Sequence, residues 1–253
     1  MRNIKLLIEY EGTNYVGWQE QQGLPTIQGT IKVAIKKITG EDVKLRGASR
    51  TDAGVHAISQ AANFKTNTTI KTISIQRALN SLLPSDIVIK DAQDVDDDFD
   101  SRLIAKGKTY TYIILNRSYP SAIHRNTSWF IPYKPVPAGF KQGLDIDLMK
   151  KGAELLIGEK DFSSFRAAAC SSEHAIREIV SLSIVKENDF VIIEVKGNAF
   201  MMHMVRIIVG TLVDLGRVRI TLEDFKNIIE ARDRTKAGRT APPHGLFLKE
   251  VEY

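Results

Sequence analysis

Two successive stretches of this 253-residue chain show the same order of hydrophobic patterns, and this repetition most constrains the fold. Alternation with a period of two indicates a strand, and apolar residues spaced three to four apart indicate a helix. In the first stretch we predict strands at 4–10, 43–48, 58–65 and 86–93 and helices at 26–39 and 70–83. The resulting order, β-α-β-β-α-β, is that of a ferredoxin-like unit.

The second stretch repeats this order with one additional helix. We predict strands at 107–116, 177–186, 190–196 and 246–252 and helices at 146–157, 200–216 and 222–232. Asp145 is a candidate helix cap, and Thr221 with Asp224 forms a candidate capping box. We therefore predict an α+β protein of two ferredoxin-like (RRM-like) halves, 1–104 and 105–253. Their antiparallel sheets are expected to join side by side around a central active-site cleft.

Composition indicates an ordinary globular protein, with 43% hydrophobic and 26% charged residues. A single cysteine, Cys170, cannot form an internal disulfide. The opening MRNIKLLIEYEG is too acidic after its short apolar run to be a signal peptide. The most apolar segment, 200–215, contains His203, Arg206 and Asp214 and is too short and polar to span a membrane. We predict a cytoplasmic protein without a membrane partner.

The net charge of +5 favours a polyanionic partner such as nucleic acid, although many basic proteins bind none. The stretch 117–143 holds four of the eight prolines and several basic residues, including Arg125. Long loops in compact domains are usually functional or disordered. This basic arm is therefore either an RNA clasp or a solvated connector between the halves.

The segment RGASRTDAGVHA, residues 46–57, lies between two predicted strands. Its small residues allow a ligand or another backbone to approach closely. Arg50 and Asp52 stand two residues apart in this turn. On composition alone, a surface turn with a weak ion pair is the simpler interpretation.

The string GASRTDAGVHA resembles the signature of the TruA-type tRNA pseudouridine synthases, in which the aspartate of the RTD core is the nucleophile. Further blocks of this family match in order along nearly the whole chain. They include YEGTN at 10–14 with GWQ at 17–19 and TIQG at 26–29, Phe99 with Arg102, KTYTY at 108–112, GE at 158–159 with DF at 161–162 and SFR at 164–166, REI at 177–179, Phe200 with HMVR at 203–206, and TAP at 240–242 with GL at 245–246.

Four positions depart from the family pattern. Arg239 replaces the usual proline before Thr-Ala-Pro, Ala169 replaces a common glycine, and Met201 and Met202 replace more typical residues. None of the four coincides with an expected catalytic group, so they concern local loop shape.

The resemblance implies a role for each of five site residues. Asp52 would be the nucleophile, and Arg206 would pair with it and keep it ionised. Tyr110 would stack on the target base and assist proton removal at C5, and Leu246 would pack beneath that base. Arg50 would enter the space left by the extruded nucleotide. Each also has a plainer interpretation, as a core or sheet residue, a snorkelling arginine or a phosphate contact.

Two further arginines are weaker candidates for RNA binding. Arg166 would contact a phosphate or take part in a structural ion pair, and Arg125 would act from the basic arm. The resemblance also implies a homodimer that modifies uridines 38, 39 and 40 in the anticodon stem-loop of tRNA. Recognition of adjacent positions suggests that shape and backbone are read more than base edges.

The sequence predicts no cofactor and no metal. It contains no dinucleotide-binding or Walker glycine pattern, and its five histidines and one cysteine show no metal-ligand spacing. Pseudouridylation transfers no electron and no external group, so it requires neither redox cofactor nor ATP.

Two alternatives from other functional classes stay open at this point. The first is a non-catalytic RNA-binding protein built on similar sheets. The second is a carboxylate-dependent nucleoside or glycoside hydrolase, which needs a second acid beside the first. Glu11 and Asp161 are the only candidates that we can name for that second acid.

Overall fold

The computed structural model describes residues 1–133, 143–170 and 172–253, and it confirms the α+β prediction. The chain divides into two compact units, one formed by Met1–Lys108 with Phe247–Tyr253 and the other by Thr109–Leu246. The functional domains 1–104 and 105–253 stay a prediction. Part of the basic arm, 134–142, lies outside the described residues. Within the described residues, no helix is long and apolar enough to cross a membrane.

The regular elements are numbered here in chain order. The strands are β1 (Arg2–Tyr10), β2 (Arg46–Gly47), β3 (His56–Thr66), β4 (Ile87–Val95), β5 (Gly107–Leu115), β6 (Trp129–Phe130), β7 (Gly158–Asp161), β8 (Ile176–Glu187), β9 (Phe190–Gly197) and β10 (Leu246–Glu252). The helices are α1 (Ile27–Thr39), α2 (Thr72–Leu82), α3 (Ile146–Glu154), α4 (Met204–Gly216) and α5 (Leu222–Ala231).

In the first unit, β1 lies between β4 and β3 and is antiparallel to both. Alternate residues of β1 are fully buried, as are the residues of the apolar stripe of α1, since one face of each element packs into the core. The short strand β2 pairs with β3, which completes the split β-α-β-β-α-β arrangement. Strand β10 adds to β3 in parallel, with Phe247 opposite His56 and Leu248 opposite Ala57.

In the second unit, the strands follow the order β5-β9-β8-β7, and β6 pairs with β5 in parallel. Strands β8 and β9 are antiparallel, and β7 pairs with the start of β8. Helix α4 is buried at eleven of its thirteen positions, and the two that are not, Arg206 and Asp214, lie on one face of the helix. The predicted caps are confirmed, because the Asp145 carboxylate accepts from the Leu148 amide and Thr221 forms a reciprocal capping box with Asp224.

Two predicted elements differ from those observed. Only Arg46 and Gly47 of the predicted strand 43–48 pair with a neighbouring strand, although Val43 and Leu45 are buried. The alternation there reflects the burial of an irregular segment. The predicted helix 200–216 begins at Met204, because His203 adopts a left-handed backbone conformation with φ of 60°.

Candidate active site

The loop that carries Asp52 joins β2 to β3 and is fixed at its base by the sheet. The Ala48 amide donates to the carbonyl of Ala61 across 2.8 Å. The fully buried Gln60 side chain bonds both backbone groups of Ser49, donating to its carbonyl at 2.8 Å and accepting from its amide at 3.3 Å. The chain therefore enters the loop along a defined path.

The tip of the loop is held by the segment Gly12–Trp18. The Trp18 amide donates to the carbonyl of Thr51 at 3.1 Å, and the Gly54 amide donates to the carbonyl of Tyr15 at 3.2 Å. The hydroxyls of Tyr10 and Thr51 form a buried hydrogen bond of 2.8 Å. Contacts on both sides of Asp52 thus fix the backbone that carries its carboxylate.

Close backbone packing explains two glycines of this segment. Gly17 has φ of 84°, and a Cβ atom there would lie 2.5 Å from the Thr51 carbonyl oxygen. A Cβ atom on Gly12 would lie 2.0 Å from the carbonyl oxygen of Val55. Only glycine fits at either position. Two sequence blocks that are far apart in the chain are therefore in backbone contact here.

His56 begins β3 directly after the loop and is 1% exposed. Its Nδ1 atom accepts a hydrogen bond from the Gly12 amide at 2.9 Å, and its ring stacks on Phe247 with centroids 4.7 Å apart. An accepting Nδ1 assigns the proton of the neutral ring to Nε2. Sequence reasoning weighed His56 only as a metal ligand; its place in the GVHA string marks it as part of the Asp52 loop region but does not predict its contact with Gly12.

Asp52 itself is half-buried, and Arg50 is exposed. The carbonyl of Asp52 accepts from the Val55 amide at 3.1 Å, which closes a turn around Ala53 and Gly54. The loop therefore carries a half-buried aspartate on a fixed backbone.

The second unit contains Tyr110 and Arg206. Tyr110 lies on β5, is buried, and meets Phe200 edge to face with centroids 5.2 Å apart. Arg206 lies in the first turn of α4 and exchanges two bonds with Ala241, donating from Nε at 2.8 Å and accepting at its own carbonyl at 3.0 Å. Sequence blocks separated along the chain thus meet within this unit.

The segment 239–246 is pinned to α4 and β5. A Cβ atom on Gly210 would lie 1.8 Å from the Arg239 carbonyl oxygen, so α4 touches this backbone directly. The Tyr112 hydroxyl donates to the Pro242 carbonyl at 2.8 Å, and burial raises the pKa of that tyrosine. Leu246, at the end of the segment, is buried.

Arg239 is one of the departures from the family pattern, and the structure gives it a local partner. Its guanidinium lies 4.5 Å from the centre of the Trp129 ring. Such a cation–π contact stabilises by about 0.5–2 kcal/mol. The arginine therefore holds the 239–246 segment by a contact that proline cannot make.

The remaining candidates have local partners. Arg166 is half-buried and donates to the Ser172 carbonyl at 3.2 Å, whereas Arg125 is exposed and donates to the carbonyl of Ala122. The Asp161 carboxylate accepts from the hydroxyl and amide of Ser163, which lowers its pKa.

Glu11, the other acid considered for a hydrolase, accepts from the Thr13 hydroxyl at 2.6 Å. Within the described part of the chain, no group of three or more His, Cys, Asp or Glu residues could hold a metal ion.

Comparisons with known proteins agree with the resemblance stated above. Residues 6–102 and 153–253 match the family model described as tRNA pseudouridine synthase. The tRNA pseudouridine synthase A of Thermoanaerobacter sp. is 49% identical and that of Acetivibrio thermocellus 48% identical, each over 253 residues covering 100% of both chains.

A chain of the archaeal box H/ACA sRNP Nop10-Cbf5 complex, a solved structure, is 12% identical with a TM-score of 0.35. The match covers 92% of this chain and 59% of the chain in that complex. The full-length sequence relatives confirm the predicted family. The chain belongs to the tRNA pseudouridine synthase family, whose members are isomerases.

Proposed function

We propose that the protein converts uridine to pseudouridine at positions 38, 39 and 40 in the anticodon stem-loop of tRNA, with Asp52 as nucleophile. One observation carries this proposal. The backbone is fixed on both sides of Asp52, and the residue itself is only half-buried. Membership of the family supports tRNA as the substrate and favours an isomerase over an RNA-binding protein or a hydrolase.

The reaction needs one ionised carboxylate. The N1–C1′ bond breaks, the base turns, C5 bonds to C1′, and the proton lost from C5 is balanced by one gained at N1. Asp52 serves by bonding covalently to the sugar or ring, or by removing the 2′ proton. Water has to be excluded, because hydrolysis would release the base and leave an abasic site.

Extrusion of the target nucleotide precedes the chemistry, because a base stacked within the stem is not accessible to a carboxylate. We assign Arg50, exposed on the same loop, to the space that the nucleotide leaves. We assign Tyr110 to stacking on the extruded base and Leu246 to packing beneath it. Arg206 is assigned to keeping the nucleophile ionised, since a nearby cation lowers the pKa of a carboxylate.

The proposal includes a homodimer as the active form and a cytoplasmic location. Arg166 and Arg125 are assigned to the phosphate backbone. Light scattering of the purified protein, alone and with tRNA, measures the dimer directly. Loss of salt-dependent tRNA binding in Arg166→Gln and Arg125→Gln tests the two phosphate contacts.

The decisive experiment measures pseudouridine and free uracil by mass spectrometry after an unmodified tRNA transcript is incubated with the enzyme. We expect pseudouridine from the wild type and from Asp42→Asn, a matched change at an exposed aspartate. We expect none from Asp52→Asn or Asp52→Ala. Free uracil would indicate a hydrolase, and tight tRNA binding without product from the wild type would indicate a non-catalytic protein.

The modified positions in the tRNA and the roles of individual side chains are tested by separate measurements. Carbodiimide treatment followed by primer extension maps pseudouridine to single nucleotides, and products outside 38–40 would contradict the assigned positions. Tyr110→Phe keeps the ring and is expected to retain more activity than Tyr110→Leu, which removes the stacking surface. Arg206→Lys keeps a cation and is expected to retain more activity than Arg206→Gln.

A further inference from the structure

A cavity of about 550 Å³ opens in the first unit beside the Asp52 loop. Ala48 and Arg50 of the loop line it, together with Asp100, Arg102 and Leu103. The remaining lining residues come from the segment after Gly17, from α1, from the irregular stretch before β2 and from β2 itself. The volume lies within the range of small-ligand sites, so the cavity can hold one nucleotide.

The lining of this cavity is strongly basic after its ion pairs are taken into account. Lys32 pairs with Glu20 at 2.7 Å, and Arg46 pairs with Asp100, so both lining carboxylates have a cation. Three further lining cations have no carboxylate partner among the described residues, namely Lys44, Arg50 and Arg102. Three uncompensated charges around one cavity attract an anion.

A neighbouring lysine strengthens this excess of positive charge. Burial lowers the pKa of Lys108, and the charge on Arg102 lowers it further. Like charges disfavour one another when they are brought close. Phosphate is the anion that relieves this repulsion in an enzyme whose substrate is RNA.

The walls of the cavity are held in place before any ligand binds. Gln28, 8% exposed, accepts from the Gln19 side chain and the Glu20 amide, each at 2.7 Å, and donates to the Leu45 carbonyl at 2.8 Å. A preorganised wall lowers the entropic cost of binding.

The part of the wall that carries Arg102 is also held by buried polar groups. The Asn63 side chain accepts from the Ser101 amide at 2.9 Å and donates to the Phe99 carbonyl at 3.1 Å. The Ser101 hydroxyl donates to the Arg46 carbonyl at 2.6 Å. These bonds fix the segment that carries Arg102.

An apolar surface adjoins the cations. Leu103 follows Arg102 directly in the cavity lining and is 77% exposed, so an accessible aliphatic side chain stands next to the cations. A nucleotide offers both a charged phosphate and an apolar face of base and sugar. Cations next to an exposed leucine match that chemistry better than they match inorganic phosphate alone, because ligand sites combine an apolar lining with a few polar groups.

We propose that this cavity binds one nucleotide of the substrate RNA other than the target uridine, with its phosphate held by Lys44 and Arg102 and its base or sugar against Leu103. The inference rests on the proposed function, since it takes tRNA as the substrate. The site acts in binding and leaves the chemical step to Asp52.

The test compares Lys44→Gln, Arg102→Gln and the double variant with Lys71→Gln, an exposed charge removed outside the cavity lining. Filter binding to an unmodified tRNA transcript is measured between roughly 50 and 200 mM salt, in an Asp52→Asn background that prevents turnover. Each lost phosphate contact is expected to reduce the slope of log K against log salt by about 0.7–0.9. Leu103→Ser is expected to weaken binding without changing this slope.

Kinetics of the variants with intact Asp52 separate binding from chemistry. We expect KM to rise about tenfold in the double variant while kcat stays within twofold. Arg102→Lys keeps a cation at this position, so it should retain most of the tRNA binding that Arg102→Gln loses. An unchanged slope and KM in the double variant, or the same effect in Lys71→Gln, overturns the inference. The inference is also overturned if uridine monophosphate binds saturably through Lys44 and Arg102 while the variants at these residues keep the wild-type affinity for tRNA.

The same data separate the two proposals. If the wild type makes no pseudouridine while the cavity variants lose tRNA affinity and salt dependence, the proposed function fails and the nucleotide site stands. If the wild type is active and the cavity variants behave like Lys71→Gln, only the nucleotide site fails. Circular dichroism and thermal melting of Arg102→Lys and Arg102→Gln exclude loss of folding as the cause.

Discussion

The backbone amide of Gly12 donates a hydrogen bond to Nδ1 of His56 across 2.9 Å, in a place where the imidazole is 1% exposed. This bond joins the segment Gly12–Trp18 to the first residue of β3, directly after the Asp52 loop. Because the Gly12 backbone also packs against the Val55 carbonyl, this bond is one of the contacts that hold the end of the loop in position. His56 is thus a candidate positioning residue that acts through Gly12.

Substitutions at His56 test this positioning role. His56→Asn places an amide oxygen near the original Nδ1 and can still accept the Gly12 bond, whereas His56→Leu cannot. We expect kcat in His56→Leu to fall by roughly 10–100-fold, since displacing a catalytic group by about 1 Å costs that much. The KM for tRNA should stay within about twofold, and His56→Asn should recover a clear part of kcat. Equal losses in both variants, or a loss confined to KM, would argue against positioning.

The close approach at Gly17 makes a second prediction. Gly17→Ala imposes a left-handed conformation on alanine, at a cost of about 1–2 kcal/mol, and drives its Cβ into the Thr51 carbonyl, at a further cost of about 1–3 kcal/mol. We expect a lower free energy of unfolding in urea and a lower kcat, because the displaced atoms adjoin Asp52.

Gly23→Ala is the matched control for this collision. Gly23 has a similar φ of 73°, but no described atom lies within 4 Å of a Cβ built there. This variant should show only the conformational cost and keep its kcat. If the two alanine variants lose the same stability and the same activity, the contact between Gly17 and Thr51 does not position the loop.

Local patterns predicted most of the helices and strands because the signals lie within a few residues of one another. The capping box of Thr221 and Asp224 lies within one helical turn, and the apolar stripe of α1 lies within a single 13-residue helix. The strand predicted at 43–48 was wrong for most of its length, because only Arg46 and Gly47 pair with a neighbouring strand. There, burial of Val43 and Leu45 imitates the alternation of a strand without ladder hydrogen bonds.

The geometry around Asp52 was beyond such reasoning. The contacts of Gly12 with His56 and of Gly17 with Thr51 join residues more than thirty positions apart, and nothing local in the sequence encodes them. Family resemblance named Asp52, Tyr110, Arg50, Arg206 and Leu246, and their roles stay predictions. The resemblance did not indicate Lys44, because that lysine lies outside the segments that resemble the family.

The cap of α5 gives a prediction about stability alone. Thr221→Ala removes the side chain that accepts from the Asp224 amide, and such caps contribute about 1 kcal/mol. Lys71, which precedes α2, makes no side-chain cap bond in the described part of the chain, so Lys71→Ala is the control. Urea unfolding should show a loss of about 1 kcal/mol for Thr221→Ala and little change for Lys71→Ala. A similar loss in both would exclude the cap as its cause.

Lys108 makes the last prediction, which concerns pH. Burial and the nearby Arg102 lower the pKa of Lys108 in the folded protein below its ordinary value of 10.5. Below the pKa of the folded state, the lysine is protonated in both the folded and the unfolded chain, so the folded state bears the full cost of the charge. As pH rises towards 10.5, the folded protein loses this proton first, and the cost disappears.

Lys108→Met should therefore have a higher free energy of unfolding than the wild type at pH 7, and the difference should shrink as pH approaches 10. Urea titrations at pH 7, 9 and 10 measure this difference, with the exposed Lys106→Met as the control for the loss of a solvated charge. A difference that is constant with pH, or a methionine variant less stable at pH 7, would show that the lysine charge does not destabilise the fold.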